Sequence, residues 1–215
     1  MSQVRIIYRH NETPNRGFAA TGVFLIKAIL AVPHLAIMAA LQGLASILIY
    51  VGFWLVALTG QYPTGMLSLI NTAFQWSARG WAWIAGIEDV YPPFDAEPPK
   101  ASVSLELPTP TNPSKGWAVS GIFLVPKLIV LIPHLVALAV LTIVAGLVMW
   151  WGFVVVLFSG RLPGGIQDFL ASIMQWWARV YAWWAGLTDD YPPFTLDARP
   201  SAEPPKRARA KAPTS

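Results

Sequence analysis

Residues 27–60, KAILAVPHLAIMAALQGLASILIYVGFWLVALTG, and residues 127–160, KLIVLIPHLVALAVLTIVAGLVMWWGFVVVLFSG, decide the fold between them. Each opens on a lysine, meets a Pro-His pair and then runs without a charge from Leu35 to Leu58 or from Leu135 to Phe158. At 1.5 Å per residue each charge-free run is about 36 Å long, enough to cross a hydrocarbon core of about 30 Å. The two stretches are copies. Sliding the chain by 100 positions superposes residues 27–94 on 127–194 without a gap, carrying Gly60, Pro63 and Gly65 onto Gly160, Pro163 and Gly165, and Tyr91-Pro92-Pro93-Phe94 onto Tyr191-Pro192-Pro193-Phe194. Upstream the offset is 99, so Arg16-Gly17-Phe18 meets Lys115-Gly116-Trp117 and the second copy holds one extra residue, assigned to Pro126. Self-similarity at this period means two tandem units.

Outward from the spans, Gly60–Gly65 and Gly160–Gly165 stop one helix and reverse the chain. Residues 66–87 and 166–187 then return as mainly apolar helices, each with an arginine that is costly in lipid unless it faces protein or headgroups. Residues 17–32 and 117–132 are too short to span, carry Lys27 or Lys127, and stop at a proline, which reads as an interfacial or re-entrant helix. Four spans put Arg5, Arg9, Arg16, Lys100, Lys115 and Arg199 on one side, with only Arg161 opposite, as lysine and arginine accumulate in the cytoplasm. The expected architecture is an all-α integral membrane protein of two tandem pseudo-symmetric repeats, about four transmembrane helices and two short interfacial or re-entrant helices. Its parts are repeat 1 (1–95), a linker (96–102), repeat 2 (103–196) and a disordered basic tail (197–215), with both termini cytoplasmic at a bacterial inner membrane.

On the return helices, Gln75, Ala78, Arg79, Ala82 and Gly86 share one sector, as do Gln175, Ala178, Arg179, Ala182 and Gly186. Ala78-xxx-Ala82-xxx-Gly86 and Ala178-xxx-Ala182-xxx-Gly186 are small-xxx-small ladders, the pattern that lets helices approach closely within lipid. A ligand-lined cavity is the other reading of this face. Tryptophans gather in the later half of each return helix, as in an aromatic belt at the headgroups.

Composition agrees with lipid: 55% of the 215 residues are hydrophobic and 12% charged, about half the charged fraction usual in soluble domains. The absence of cysteine excludes disulfides, thiolate metal sites and cysteine nucleophiles. The net charge of +4 owes much to Lys206, Arg207, Arg209 and Lys211, which favour anionic lipid over nucleic acid. The amino terminus lacks the apolar run of a signal peptide.

Taken together, Lys-x5-Pro-His-Leu, the long span, Gly-x2-Pro-x-Gly, Trp-x2-Arg and the closing Asp-x-Tyr-Pro-Pro-Phe resemble the bacterial membrane family catalogued as domain of unknown function 4389, present twice. The resemblance implies a membrane location and brings no activity or catalytic residues.

Chemistry is sparse. His34 and His134, related by the repeat, could ligate one haem, or else bond freed carbonyls at a helix break. No further ligand completes a metal site, no acid is repeated beside Asp168 for general acid–base work, and no nucleophile or phosphate-loop motif occurs. Lys27, Arg79, Lys127 and Arg179 could hold anionic headgroups, or simply snorkel. Val4–Tyr8 and Val103–Leu107 read as short extended segments that could pair. The expected function is a non-catalytic scaffold or accessory subunit of a larger membrane complex, without cofactor, contacting anionic lipid and other membrane protein subunits. A lipid or small-solute carrier and a bis-histidine haem protein are the alternatives.

Overall fold

The computed structural model describes residues 4–95 and 102–201; most of the 96–102 linker and, of the tail expected to be disordered from 197, residues 202–215 lie outside them, while 197–201 are held against the fold, Ser201 N–H donating to the Tyr8 carbonyl at 2.8 Å. In chain order the elements are β1 (Arg5–Ile7), α1 (Arg16–Val23), α2 (Ile26–Thr59), α3 (Thr64–Ile84), β2 (Ser104–Glu106), α4 (Lys115–Ile122), α5 (Val125–Ser159) and α6 (Gly164–Trp184). The fold is therefore almost wholly helical, and each half holds a strand, a short helix, a long helix and a 21-residue helix.

The short helices begin on side-chain caps. Asn15 accepts from Gly17 N–H at 2.7 Å, and Ser114 accepts from Trp117 N–H at 3.3 Å. They do not run to the prolines as the sequence suggests. The helix breaks at Leu25 and Leu124, with φ of 58° and 59°, and a new helix then continues straight through Pro33 and Pro133. A non-glycine residue in this region costs about 1–2 kcal/mol, so the surrounding packing holds the break in place. Each internal proline leaves the carbonyl four residues earlier without its helical partner, a loss tolerated in apolar helices when neighbours re-satisfy it. Pro126 falls in the first turn of α5, where a missing N–H costs nothing.

The long helices, at 34 and 35 residues, extend about 51 and 52 Å. Each touches the protein along one narrow seam, formed in α2 by Lys27, Ala31, His34, Met38, Ala45, Ile49, Phe53 and Val56. The rest of their circumference presents apolar side chains such as Ile29, Ile47 and Leu58, or Ile143, Leu147 and Phe158, all more than 60% exposed. Among the described residues these two helices alone are long and apolar enough to cross a membrane. That makes two candidate spans rather than four. The return helices spend one face on polar work described below, and so fall short of a span.

The helices α2 and α3 form an antiparallel hairpin: Gln42 Nε2 donates to Ser77 Oγ at 3.0 Å, and Gly80 lies against His34 and Met38. In the same way, α5 and α6 pair through Trp177 Nε1, which donates to Thr142 Oγ1 at 3.1 Å. The halves interlock, because each half's opening segment packs on the other half. Helix α1 lies on α5 and α4 on α2, while β1 meets α6 and β2 meets α3. The strands pair antiparallel with Ile6 opposite Leu105.

Two residues fix the crossing points. A Cβ on Gly22 would come within 2.4 Å of the Phe153 ring, and one on Gly121 within 2.6 Å of Phe53. Lys27 at the start of α2 sits over Phe153 near the end of α5, and Lys127 at the start of α5 sits over Phe53. The start of each long helix thus meets the end of the other, so α2 and α5 run antiparallel. Arg16 reaches the carboxyl end of α5 at Gly160 and Lys115 that of α2 at Gly60, cations where the helix dipole favours them.

Close approach at the crossing points gives a simple contrast. Gly22→Ala should destabilise by about 1–3 kcal/mol, because a methyl group has nowhere to go against Phe153. Gly43→Ala, whose added carbon meets nothing within 4 Å, should be stabilising by about 0.5–1 kcal/mol. Thermal unfolding of the two variants in mild detergent measures both.

Candidate functional site

The small polar face of the return helices is a holder for strands. Gln75, half-way along α3, accepts from Leu105 N–H at 2.9 Å through Oε1 and donates to Leu105 C=O at 2.7 Å through Nε2. Its amide pairs with β2 as a third strand would. Gln175 accepts from Ile6 N–H at 2.9 Å and donates to Asp197 at 2.9 Å. These two residues were expected to pack helix on helix; instead they satisfy backbone groups of the other half's strand, which would be costly to bury unpaired.

The arginines belong to the same apparatus. Arg79 donates to the carbonyl of Asp95 at 2.9 Å. Arg179 holds Asp197 through both terminal guanidinium nitrogens, at 2.7 and 3.2 Å, and reaches Thr195 Oγ1 at 3.0 Å. That bond keeps the Asp197 carboxyl below the usual carboxylate range, Coulomb attraction and Gln175 assisting against partial burial. Downstream of β1, Tyr8 and His10 both bond Asp168, and Asn11 N–H donates to Gln167 at 2.7 Å. The one acid within an apolar segment is therefore a tether for the amino-terminal strand, whose Tyr8 hydroxyl burial and this bond push towards higher pKa.

The lysines expected at headgroups are buried instead. Lys27 is 4% and Lys127 1% exposed. The Lys27 ammonium lies 4.7 Å from the Trp83 ring centre and 4.9 Å from Phe153. Lys127 lies 4.5 Å from Phe53 and 5.1 Å from Trp183, and donates to the Trp184 carbonyl at 2.8 Å. Cation–π contact with two rings from opposite halves compensates desolvation, each contact being worth about 2 kcal/mol when dry. With both arginines buried as well, none of the four presents its charge to a surface. Lys206, Arg207, Arg209 and Lys211 lie outside the described residues.

His34 and His134 sit in separate aromatic cages. The His34 ring stacks on Trp76 at 5.0 Å beside Tyr91 and Phe94. His134 stacks on Phe194 at 3.8 Å, accepts from Trp176 Nε1 at 2.9 Å and lies 4.8 Å from Tyr191. The Pro-His pair and the Tyr-Pro-Pro-Phe motif are thus two parts of one contact, and no shared bis-histidine haem site is formed. Among the described residues no three His, Asp or Glu side chains gather as metal ligands.

Ala78, Ala82, Ala178 and Ala182 are buried as the ladders imply. Gly86 and Gly186 are not rungs of them. They lie past the helix ends at φ of 77° and 72°, and Ile87 N–H and Leu187 N–H close back on the carbonyls of Ala82 and Ala182. This is a left-handed terminator that a side chain would strain.

Between α3 and α6, beneath the strand pair, lies an apolar cleft of about 500 Å³. Ile6 and Leu105 line it from the strands, Phe74 and Ala78 from α3, Leu170 and Ala178 from α6. It extends between the middles of the long helices, where Gln42, Thr142 and Gly146 meet it. The sequence suggested a cavity on the polar and small face only as an alternative; of that face's residues Ala78 and Ala178 alone line the cleft.

A family model described as Domain of unknown function (DUF4389) matches residues 123–195, which carry α5, α6 and the second aromatic cage. No curated protein and no solved structure matches the chain.

The Arg179–Asp197 pair makes stability depend on pH. Because the folded carboxyl has the lower pKa, its contribution is present above the unfolded value of about 3.9 and is lost as pH falls through the folded value. Asp197 is half exposed, so the contribution should be about 1 kcal/mol or less. The wild-type advantage in Tm over Asp197→Asn should hold at neutral pH and vanish on acidification below about pH 4.

Proposed function

We propose that the chain is a non-catalytic scaffold or accessory protein of the bacterial inner membrane, made of two tandem copies of the domain of unknown function and embedded in one leaflet. The observation that carries the embedding is the level of the strand pair. Ile6 and Leu105 line the same cleft as Gln42, Thr142 and Gly146, which lie near the middles of α2 and α5. Were the long helices upright, the strands would lie at mid-bilayer and carry exposed Arg5 and Glu106 into hydrocarbon. Laid in the membrane plane, the same helices sink their apolar flanks into lipid and leave the strands in water.

The dimensions suit this. One leaflet of a core about 30 Å thick offers about 15 Å, and a helix with side chains is about 10–12 Å across. The return helices then lie at headgroup depth, where half-exposed Trp81 and Trp177 belong. An axis relating the copies along the membrane normal remains compatible with antiparallel α2 and α5, but only when both lie flat; the four-span arrangement is set aside on that ground. Exposed Arg16, Lys115 and Arg161 at the helix ends take over the contact with anionic lipid expected of the buried cations. A rigid, interlocked body with side chains engaged in structural bonds suits a platform for other membrane subunits better than a reaction centre.

The chain has no cysteine, so single cysteines report on sidedness without background. Exposed positions Thr64 and Gly165, just past the ends of the antiparallel α2 and α5, should as single cysteines react with an impermeant maleimide from the same side, the cytoplasm. Upright helices require the two to react from opposite sides, and that result would refute the one-leaflet reading.

A further inference from the structure

Resting on the one-leaflet reading, the geometry points to the cleft between α3 and α6 as a binding site for one acyl chain of a leaflet phospholipid. Its volume of about 500 Å³ lies within the roughly 300–1,000 Å³ of ligand sites. A void of this size lined by Phe, Leu, Ile and Met forfeits dispersion contacts all along its wall. Water gains little there for want of polar partners, while apolar cavities in proteins take up hydrocarbon.

The apolar lining suits a hydrocarbon chain. The cleft is roofed by Ile6 and Leu105 and reaches the middles of α2 and α5. On α5 that end adjoins Ile143 and Leu147, exposed apolar residues of the flank proposed to lie in lipid. A chain from the surrounding leaflet enters there without crossing water.

The few polar groups lie at the same end. Gln42 donates to Ser77 and Trp177 to Thr142, so each hairpin closes its own hydrogen bond beside the opening. Gly146 lines the cleft, and a side chain there would meet nothing within 4 Å. The second half thus leaves the entrance unfilled at a position where leucine or larger would fit the backbone.

The test uses the full chain in vesicles of phosphatidylethanolamine and phosphatidylglycerol doped with a phospholipid bearing a photoactivatable diazirine near the end of one chain. Adducts mapped by mass spectrometry should appear on Leu105, Ile173 or Met174, which bulk lipid cannot reach, besides those on Ile29 and Ile47. Gly146→Leu should reduce the cleft adducts at least fivefold and leave the outer ones unchanged. Adducts confined to the outer faces in the wild type would overturn the proposal, and this arm needs no variant to fold. Equal cleft labelling in wild type and a folded Gly146→Leu would overturn it too. A diazirine fatty acid that labels the cleft where the phospholipid does not would replace the phospholipid by a free acid and count against it. Flotation with vesicles separates the two readings: wild type that floats without cleft adducts refutes the site alone, whereas wild type that does not float refutes the membrane reading.

Discussion

Two phenylalanines hold the halves together. Phe153 fills the space left by Gly22 and Gly86 and lies against the Lys27 ammonium; Phe53 does the same for Gly121, Gly186 and Lys127. Each ring belongs to one half, and the glycines and lysine around it belong to the other. Because the ring lies near the end of one long helix and the lysine at the start of the other, α2 and α5 have no choice but to run antiparallel. The strand pair and the cleft beneath it follow from that direction, and the proposed flat attitude in the membrane rests on it. The buried lysines are reasonable in this setting. Their hydration is replaced by ring faces, by the Trp184 carbonyl for Lys127, and by acids at the mouths of the junctions, where Asp89 and Asp189 receive the N–H groups of Asn15 and Ser114.

Much of the local structure is legible in the residues. The charge-free runs after His34 and His134 lie wholly within α2 and α5, the Gly-x2-Pro-x-Gly segments turn the chain, and Val4–Tyr8 does pair with Val103–Leu107. Periodicity shows the polar sector of the return helices as well. What one strand of sequence cannot show is the partner of each sector. Gln75 reads as a polar residue in a helix seam because its true partner, the backbone of Leu105, has no side-chain signature. Leu25 and Leu124 likewise read as continuous apolar helix, since only tertiary packing compels a left-handed leucine. Lys27 and Lys127 follow the pattern of snorkelling side chains, and their burial depends on the Phe153 and Phe53 rings, distant in sequence and in the other half.

The recurring motifs acquire physical meaning once the pairs are known. Pro-His, Trp-x2-Arg and Tyr-Pro-Pro-Phe meet in one aromatic cage per half, and the arginine beside each cage ties down the exit segment through Asp95 or Asp197. A chain whose few polar side chains are so committed has rigidity, an exposed apolar flank and a sheltered cleft to offer. Its use then depends on how it lies in the membrane.

Depth along α2 decides that. With nitroxides attached singly at Ile29, Ile47 and Leu58 in reconstituted vesicles, the accessibility contrast between oxygen and a nickel chelate reads the depth of each. Helices lying in one leaflet give three similar depths. An upright α2 gives a deep Ile47 between two shallow ends, and that profile would contradict the account.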